Sequence, residues 1–281
     1  MTKRICVTGA SGRAGRVTVA ELLDHGYDVV STDRVKPQHD LGTDMLLAEL
    51  TDYGQAAEVL AGVDAVVHLA NIPAPGIQTP AATFNANMAM NFNVFQAAAQ
   101  AGLERVVWAS SETTLGLPFD VPPRYAPVDE DHYPYPTTTY ALSKVASETI
   151  AAQIAGWSSI PFTGLRFSNI LGPADYESFP GYWPDPRARK WNLWGYIDER
   201  DAAAACRLAL EAPAQGSVAY IIAAADTVMN RSSAGLLQEV FPGVPITREV
   251  GEFESLLSTG RARQALGFQP RHSWRDHIPA S

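Results

Sequence analysis

Tyr140 and Lys144 open an apolar-periodic run, Tyr140-Ala141-Leu142-Ser143-Lys144, which places them one helical turn apart on the same face. A phenol with an unperturbed pKa near ~10 is a poor base at neutral pH, and an ammonium one turn away favours the phenolate. Such a pair suits proton removal from an alcohol whose carbon gives up hydride. Ser111, in Trp108-Ala109-Ser110-Ser111-Glu112-Thr113, follows a strand-like run and can hydrogen-bond the same oxygen. A tyrosine and a lysine at this spacing are common by chance, and paired serines after a strand are ordinary turn chemistry. The weight lies in their joint occurrence with a second motif.

That motif is Gly9-Ala10-Ser11-Gly12-Arg13-Ala14-Gly15. It follows the strand-like run Arg4–Thr8 and opens a helix. Glycines there let backbone approach a pyrophosphate, and the helix N-terminus offers free N–H groups and positive potential. Gly9, Ser11, Gly12, Arg13, Ala14 and Gly15 are the candidate cofactor cradle. Asp33 closes the next strand and can accept hydrogen bonds from both ribose hydroxyls of NAD. Arg34 beside it leaves NADP open, through a 2′-phosphate contact that Asp33 would oppose.

The elements that must position these groups alternate through about residue 166. Strands are expected at Arg4–Thr8, Asp28–Ser31, Ala65–Leu69, Arg105–Ala109 and Phe162–Phe167. Helices are expected near Ala14–His25, Tyr53–Ala61, Ala81–Ala101 and Thr138–Ala155. Such alternation reads as an α/β fold, a Rossmann-type doubly wound parallel sheet. Residues 1–170 would bind the dinucleotide. Residues 171–281 would form a small C-terminal substrate lobe interleaved with the last Rossmann elements. Within it, 173–196 is rich in proline and aromatics around Arg187, Arg189 and Lys190, as in an ordered lid. A helix at Glu199–Leu210, a strand near Val218–Ile222, and helices near Ser232–Val240 and Phe253–Leu266 follow.

At 281 residues and 46% hydrophobic, the chain can bury a sizeable core. Its net charge of −9 disfavours nucleic acid and anionic membrane as partners. Two cysteines, Cys6 and Cys206, are expected as buried free thiols. The run Ile5 to Thr8 is too short for a signal-peptide core, no apolar stretch spans a membrane, and a cytoplasmic location is expected. No His/Cys/carboxylate spacing suggests a metal site. His68 and His132 read as structural or surface residues.

Taken together, Gly9–Gly15, His68-Leu69-Ala70, Ser111, Tyr140/Lys144 and Leu165-Arg166-Phe167-Ser168-Asn169 resemble the extended short-chain dehydrogenases, in their NAD-dependent epimerase/dehydratase branch. Ala265-Leu266-Gly267-Phe268-Gln269-Pro270 is similar to that branch's closing segment. The resemblance implies that Leu69, Ala70, Tyr140 and Lys144 face the cofactor. It also implies that Asn87 lies near the nicotinamide and that Glu49-Leu50 replaces an Asp-hydrophobe pair at adenine. The shortened region after Gly172 is similar to that of uronate dehydrogenases, where an arginine five residues before a tryptophan holds a carboxylate. Arg189 and Trp194 match that spacing. Trp194-Gly195 stands where nucleotide-sugar enzymes carry an Arg-Asp pair, although Asn169 matches their phosphate-side residue. Glu112-Thr113 keeps only half of the Asp-Glu pair of dehydratases, and Glu112 can contact a sugar hydroxyl.

The expectation is therefore an NAD-dependent oxidoreductase acting on a small polar substrate, a sugar or sugar acid. Ser111, Tyr140 and Lys144 would be catalytic, and Ser111, Glu112, Asn169, Arg189 and Trp194 would face the substrate. A nucleotide-sugar 4-epimerase with tightly held NAD and a catalytically silent NAD(P) sensor or scaffold are the alternatives. A homodimer through the helices at 81–101 and 138–155 is implied by the resemblance.

Overall fold

A computed structural model describes residues 2–278. Seven parallel strands form one sheet: β1 (Arg4–Thr8), β2 (Asp28–Asp33), β3 (Asp44–Leu47), β4 (Ala65–His68), β5 (Arg105–Ala109), β6 (Phe162–Phe167) and β9 (Ser217–Ile222). Their spatial order is β3-β2-β1-β4-β5-β6-β9. This is a Rossmann-type doubly wound sheet, whose order reverses between β1 and β4. The crossovers run through α1 (Arg13–Asp24), α2 (Tyr53–Val59), α3 (Pro80–Ala101), α4 (Thr139–Ser158) and α5 (Glu199–Glu211). A two-residue pair, β7 (Ile170–Leu171) with β8 (Ile197–Asp198), brackets the lobe's entry and exit.

Strand alternation decides which face each residue serves. Ile5 and Val7 point into a core with Val19 and Leu22 of α1 and Ala202, Ala205 and Cys206 of α5. Cys6 points the other way, into a core with Val94 and Phe95 of α3, Trp108 of β5 and Ile154 of α4. Phe95 stacks edge-on against both Trp108 and Phe162 at 5.2 Å. Both cysteines are free and buried, and burial pushes each thiol up to about 12. A third core, built from Leu115, Phe119, Tyr176, Phe179, Trp194, Tyr196, Leu236 and Trp274, belongs to the lobe and to the loop after β5. The sheet thus takes β9 and α5 from the second half, while the lobe takes residues 115–128 from the first.

Three local departures from the sequence expectations have physical reasons. β3 lacks a period-2 apolar pattern because it is an edge strand with Leu46 and Leu47 half-exposed. Residues 173–196 form 3₁₀ turns at Pro173–Gly181 and Lys190–Asn192, consistent with proline at the first helical position. The last helices are α6 (Ser233–Val240) and α7 (Gly260–Leu266). The helix expected from Phe253 starts only at Gly260, since Leu256 and Leu257 run extended beside Val128.

Candidate active site

The carboxyl ends of β1, β2, β4, β5 and β6 open onto one cavity of about 600 Å³. At one end lies the glycine turn. Gly9 has φ +71°, and a Cβ there would meet the Ala70 amide nitrogen at 2.7 Å, so the turn can lie against the end of β4 only as glycine. Gly12 caps α1 without any side-chain hydrogen bond, leaving the first N–H groups of the helix facing the cavity. Asp33 lines the same end and accepts the Ser11 amide at 3.0 Å. A glycine cradle, an uncapped helix N-terminus and a carboxylate at the next strand end fit a dinucleotide. Arg34, Glu49, Leu50, Leu69 and Ala70 also line this cavity. Ser11 does not: its hydroxyl donates to the Val35 carbonyl at 2.7 Å, so it braces the Asp33 corner. Arg13 lines the cavity and pairs with Asp175, tying α1 to the lobe.

At the other end Ser111, Tyr140 and Lys144 share one wall. Thr138 caps α4 by accepting the Ala141 amide at 3.0 Å, which fixes the first turn on which Tyr140 rides. Ser111 Oγ accepts from the Thr113 amide at 3.1 Å and from Thr113 Oγ1 at 2.9 Å. With both lone pairs used, its proton is directed outward. Lys144 Nζ donates to Asn71 Oδ1 at 2.9 Å and to the Ala109 carbonyl at 2.7 Å, leaving one N–H free. It lies 5.7 Å from the centre of the Tyr140 ring.

The expected acidification of Tyr140 by Lys144 is not what this environment produces. Burial pushes the phenol up to about 12; Ser111 opposes that by hydrogen bonding, and Glu112 reinforces it by charge. Burial likewise pushes Lys144 down to about 7, with Glu148 opposing. Desolvation dominates at both groups, so the resting pair is a protonated phenol beside a weakened ammonium. Glu148, one turn beyond Lys144, is held by Arg166 at 2.8 and 2.9 Å and by Ser110 at 2.6 Å.

Two further polar residues, unmarked by any motif, support the lysine. Asn71 follows β4 and hands its amide to Asn91 Oδ1 at 2.7 Å. Asn91 also accepts from His68 Nε2 at 2.9 Å and donates to Ser147 Oγ at 2.7 Å. Asn87 needs correction. It is fully buried and does not line the cavity; its amide grips the Ile72 N–H at 2.8 Å and carbonyl at 3.1 Å. It shapes the wall from behind.

At the substrate end, Glu112, Ser168, Asn169 and Trp191 join Ser111. Glu112 is 3% exposed, accepts from Ser168 Oγ at 2.5 Å and Asn192 Nδ2 at 3.3 Å, and is pushed up to about 7 by burial. The other two expected substrate residues do not line the cavity. Leu193 and Trp194 adopt φ +53° and +59°, which turn the Trp194 indole into the lobe core, its Nε1 on the Pro186 carbonyl at 2.7 Å. Arg189 is buried with its guanidinium 5.4 Å from the Tyr182 ring and 4.9 Å from the Trp191 ring. The spacing that pairs Arg189 with Trp194 therefore does not make a carboxylate clamp in this wall. Among the described residues there is no cluster of three His, Cys, Asp or Glu able to hold a metal, and no helix long and apolar enough to cross a membrane.

The chain is similar to several sugar-active proteins. A UDP-glucose 4-epimerase of Corynebacterium glutamicum is 26% identical over 309 residues, covering 96% of this chain and 92% of that one. An L-arabinose 1-dehydrogenase (NAD(P)(+)) of Haloferax volcanii is 30% identical over 177 residues, covering 60% and 67%. Among solved structures, a mutated uronate dehydrogenase superposes with a TM-score of 0.71 at 21% identity over 99% of this chain and 86% of its own, which speaks for the fold. Residues 5–223 match the sequence profile of the NAD dependent epimerase/dehydratase family, and with the dinucleotide cradle and the Ser111, Tyr140 and Lys144 wall on one cavity, this chain belongs to that family, with NAD as its cofactor.

Proposed function

We propose that this protein is a dehydrogenase that transfers hydride between NAD and a hydroxyl-bearing carbon of a small free sugar or sugar acid. The observation that carries this reading is the convergence of Ser111, Tyr140 and Lys144 on the cavity that the glycine turn and Asp33 close at its far end. Bound NAD supplies the hydride acceptor and, when oxidised, a positive charge in the cavity. Ser111, its lone pairs filled by Thr113, donates to the substrate oxygen and holds it near Tyr140. Tyr140 takes the hydroxyl proton in oxidation and returns it in reduction. Its upward-shifted pKa suits the proton-donating state, so in oxidation Tyr140 must first lose its phenol proton to solvent before it can accept the hydroxyl proton. Lys144 offers its remaining N–H to a ribose hydroxyl and stabilises the phenolate when it is charged.

The second reading, a nucleotide-sugar 4-epimerase, is favoured by the similarity to such an enzyme along 96% of the chain. Against it stands the position Trp194-Gly195. Here the indole is sealed in the lobe core, and this pair offers no guanidinium or carboxylate to hold a diphosphate. The test follows absorbance of reduced nicotinamide with free sugars, sugar acids and nucleotide sugars. Net reduction of NAD with a free sugar or sugar acid is expected. Isomerisation of a nucleotide sugar without net reduction would establish the epimerase instead. Tyr140→Phe should lose roughly 10²- to 10⁴-fold in turnover while still binding NAD; a silent sensor would be indifferent.

A homodimer belongs to the same proposal. Phe92 of α3 and Leu142 and Trp157 of α4 are exposed, and the two helices pack side by side, so a second copy can cover them. Light scattering after size exclusion tests it.

A further inference from the structure

We propose that Glu112 is the specificity residue of the substrate end, and that it selects a neutral polyhydroxylated sugar over a sugar acid or sugar phosphate. The inference deepens the dehydrogenase reading and rests on it.

Glu112 begins the 3₁₀ turn directly after Ser111, so its carboxylate enters the cavity wall beside the hydroxyl that holds the reacting oxygen. An ionised carboxylate offers about four lone-pair sites. Ser168 Oγ at 2.5 Å and Asn192 Nδ2 at 3.3 Å occupy two of them. The Asn169 backbone N–H takes a third, and what remains of the carboxylate borders the cavity. A buried carboxylate is stabilised by each further donor that reaches it, so this wall suits a ligand that brings O–H groups. Sugar hydroxyls do. Carboxylates and phosphates bring only more acceptors and a charge of the same sign.

The distribution of cations points the same way. The basic side chains lining the cavity are Arg13, Arg34 and Lys144. Arg13 pairs with Asp175 and Arg34 sits beside Asp33, both at the dinucleotide end, while Lys144 is bound to Asn71 and Ala109. Arg189 does not line the cavity; it packs on Trp191, which does, and its charge eases the ionisation of Glu112 from inside the wall. A carboxylate or phosphate seated beside Ser111 would therefore meet Glu112 with no guanidinium at that end to pair with it, Lys144 being already held by Asn71 and Ala109, and like charges juxtaposed in a desolvated site cost several powers of ten in affinity at most.

The test measures NAD reduction at pH 8.5, where Glu112 is ionised, with free pentoses and hexoses, the matching uronic acids and an aldose 6-phosphate. For wild-type protein, kcat/KM for the best neutral sugar should exceed that for its uronic acid by at least tenfold. In Glu112→Gln that ratio should fall by at least tenfold, chiefly through KM. The amide keeps the volume but removes the charge and one acceptor. A wild-type preference for the uronic acid or the phosphate overturns the inference and leaves the dehydrogenase reading standing. So does an unchanged ratio in a folded Glu112→Gln protein. Should that variant fail to fold, the wild-type ratio decides alone. No reduced nicotinamide from any free sugar, with isomerisation of a nucleotide sugar, overturns the dehydrogenase reading itself and the inference with it.

Discussion

Lys144 Nζ donates to Asn71 Oδ1 at 2.9 Å, and this contact ends a chain of hydrogen bonds with only one consistent direction. Thr8 Oγ1 receives the Leu69 and Ala70 amides, each at 3.2 Å, so its own proton goes to His68 Nδ1 at 2.7 Å. His68 Nε2 then donates to Asn91 Oδ1, which also receives Asn71 Nδ2, turning Asn71 Oδ1 toward the lysine. The ends of β1 and β4 and the helices α3 and α4 thus meet behind one ammonium.

Asn71 is accordingly a positioning residue. Asn71→Leu removes one of two acceptors from a buried ammonium, which should cost about 1–3 kcal/mol of stability and move the pKa of Lys144 further down. The pH–rate profile should lose its alkaline side earlier, with kcat at neutral pH reduced by roughly tenfold or more per 1.4 kcal/mol of lost stabilisation. Asn71→Asp keeps an acceptor and adds a negative charge, so it should restore the protonated lysine and shift the profile back. A merely structural Asn71 would leave both profiles where wild type has them.

His68 carries a pH signature of defined sign. Burial pushes its imidazole down to about 3, against 6.5 in an unfolded chain. A depressed pKa contributes stability that is complete above 6.5 and is lost as pH falls toward 3. The physical reason is visible: an imidazolium would turn an N–H on Nδ1 toward Thr8 Oγ1, which already accepts two amides. Glu112, pushed up to about 7, acts with the opposite sign, gaining stability for the fold as pH falls from 7 toward its ordinary range. Wild type alone therefore mixes the two. The difference between wild type and His68→Gln in urea unfolding should shrink as pH falls below 6.5, by no more than about 1.4 kcal/mol per pH unit.

The cofactor cradle and the reacting groups were legible because their signals are local. Gly9–Gly15 sits at a strand-to-helix junction, and Tyr140 and Lys144 are one turn apart wherever a helix forms there. Residues whose role depends on a distant partner left no such trace. Asn71 matters through Lys144, Asn91 through His68, and Asn192 through Glu112, each separated by a stretch of chain that spacing does not bridge. Arg189 and Trp194 show the converse. Their spacing matched, but two consecutive left-handed residues, Leu193 and Trp194, rotate the indole into the core and leave the guanidinium between two aromatic rings. β3 escaped because an exposed edge strand has no apolar periodicity to read.

Asp33 should set the preference between the two nicotinamide cofactors. Its carboxylate is fixed at the cavity edge by the Ser11 amide at 3.0 Å and the Val35 amide at 3.3 Å, and Arg34 beside it is exposed. With the carboxylate present, a ribose 2′-phosphate meets a negative charge; without it, Arg34 remains as a cation for that phosphate. Asp33→Ser should raise KM for NAD by roughly tenfold and lower it for NADP, reversing or erasing the preference. Steady-state kinetics with both cofactors at saturating substrate checks this, and an unchanged ratio would remove Asp33 from cofactor selection.

Gly15 and Gly156 should respond to the same substitution with opposite signs. A Cβ at Gly15 would lie 2.0 Å from the Gly9 carbonyl oxygen and 2.7 Å from the Ala10 Cα. Both are backbone atoms, so no side chain can rotate away, and α1 must lift off the turn that Gly9 presses against Ala70. The expected loss is about 3 kcal/mol, the upper end for overpacking a rigid site, with weakened NAD binding because the helix N-terminus moves from the cavity. Gly156 lies exposed in α4, where a Cβ would meet nothing within 4 Å. Alanine there should stabilise by up to about 1 kcal/mol through helix propensity alone and leave NAD binding as it is. Denaturant unfolding of both variants, with NAD titration by fluorescence, compares them directly. Equal effects would mean that the contact between α1 and the glycine turn carries no strain against a side chain, and that the cradle tolerates a wider approach than the fold implies.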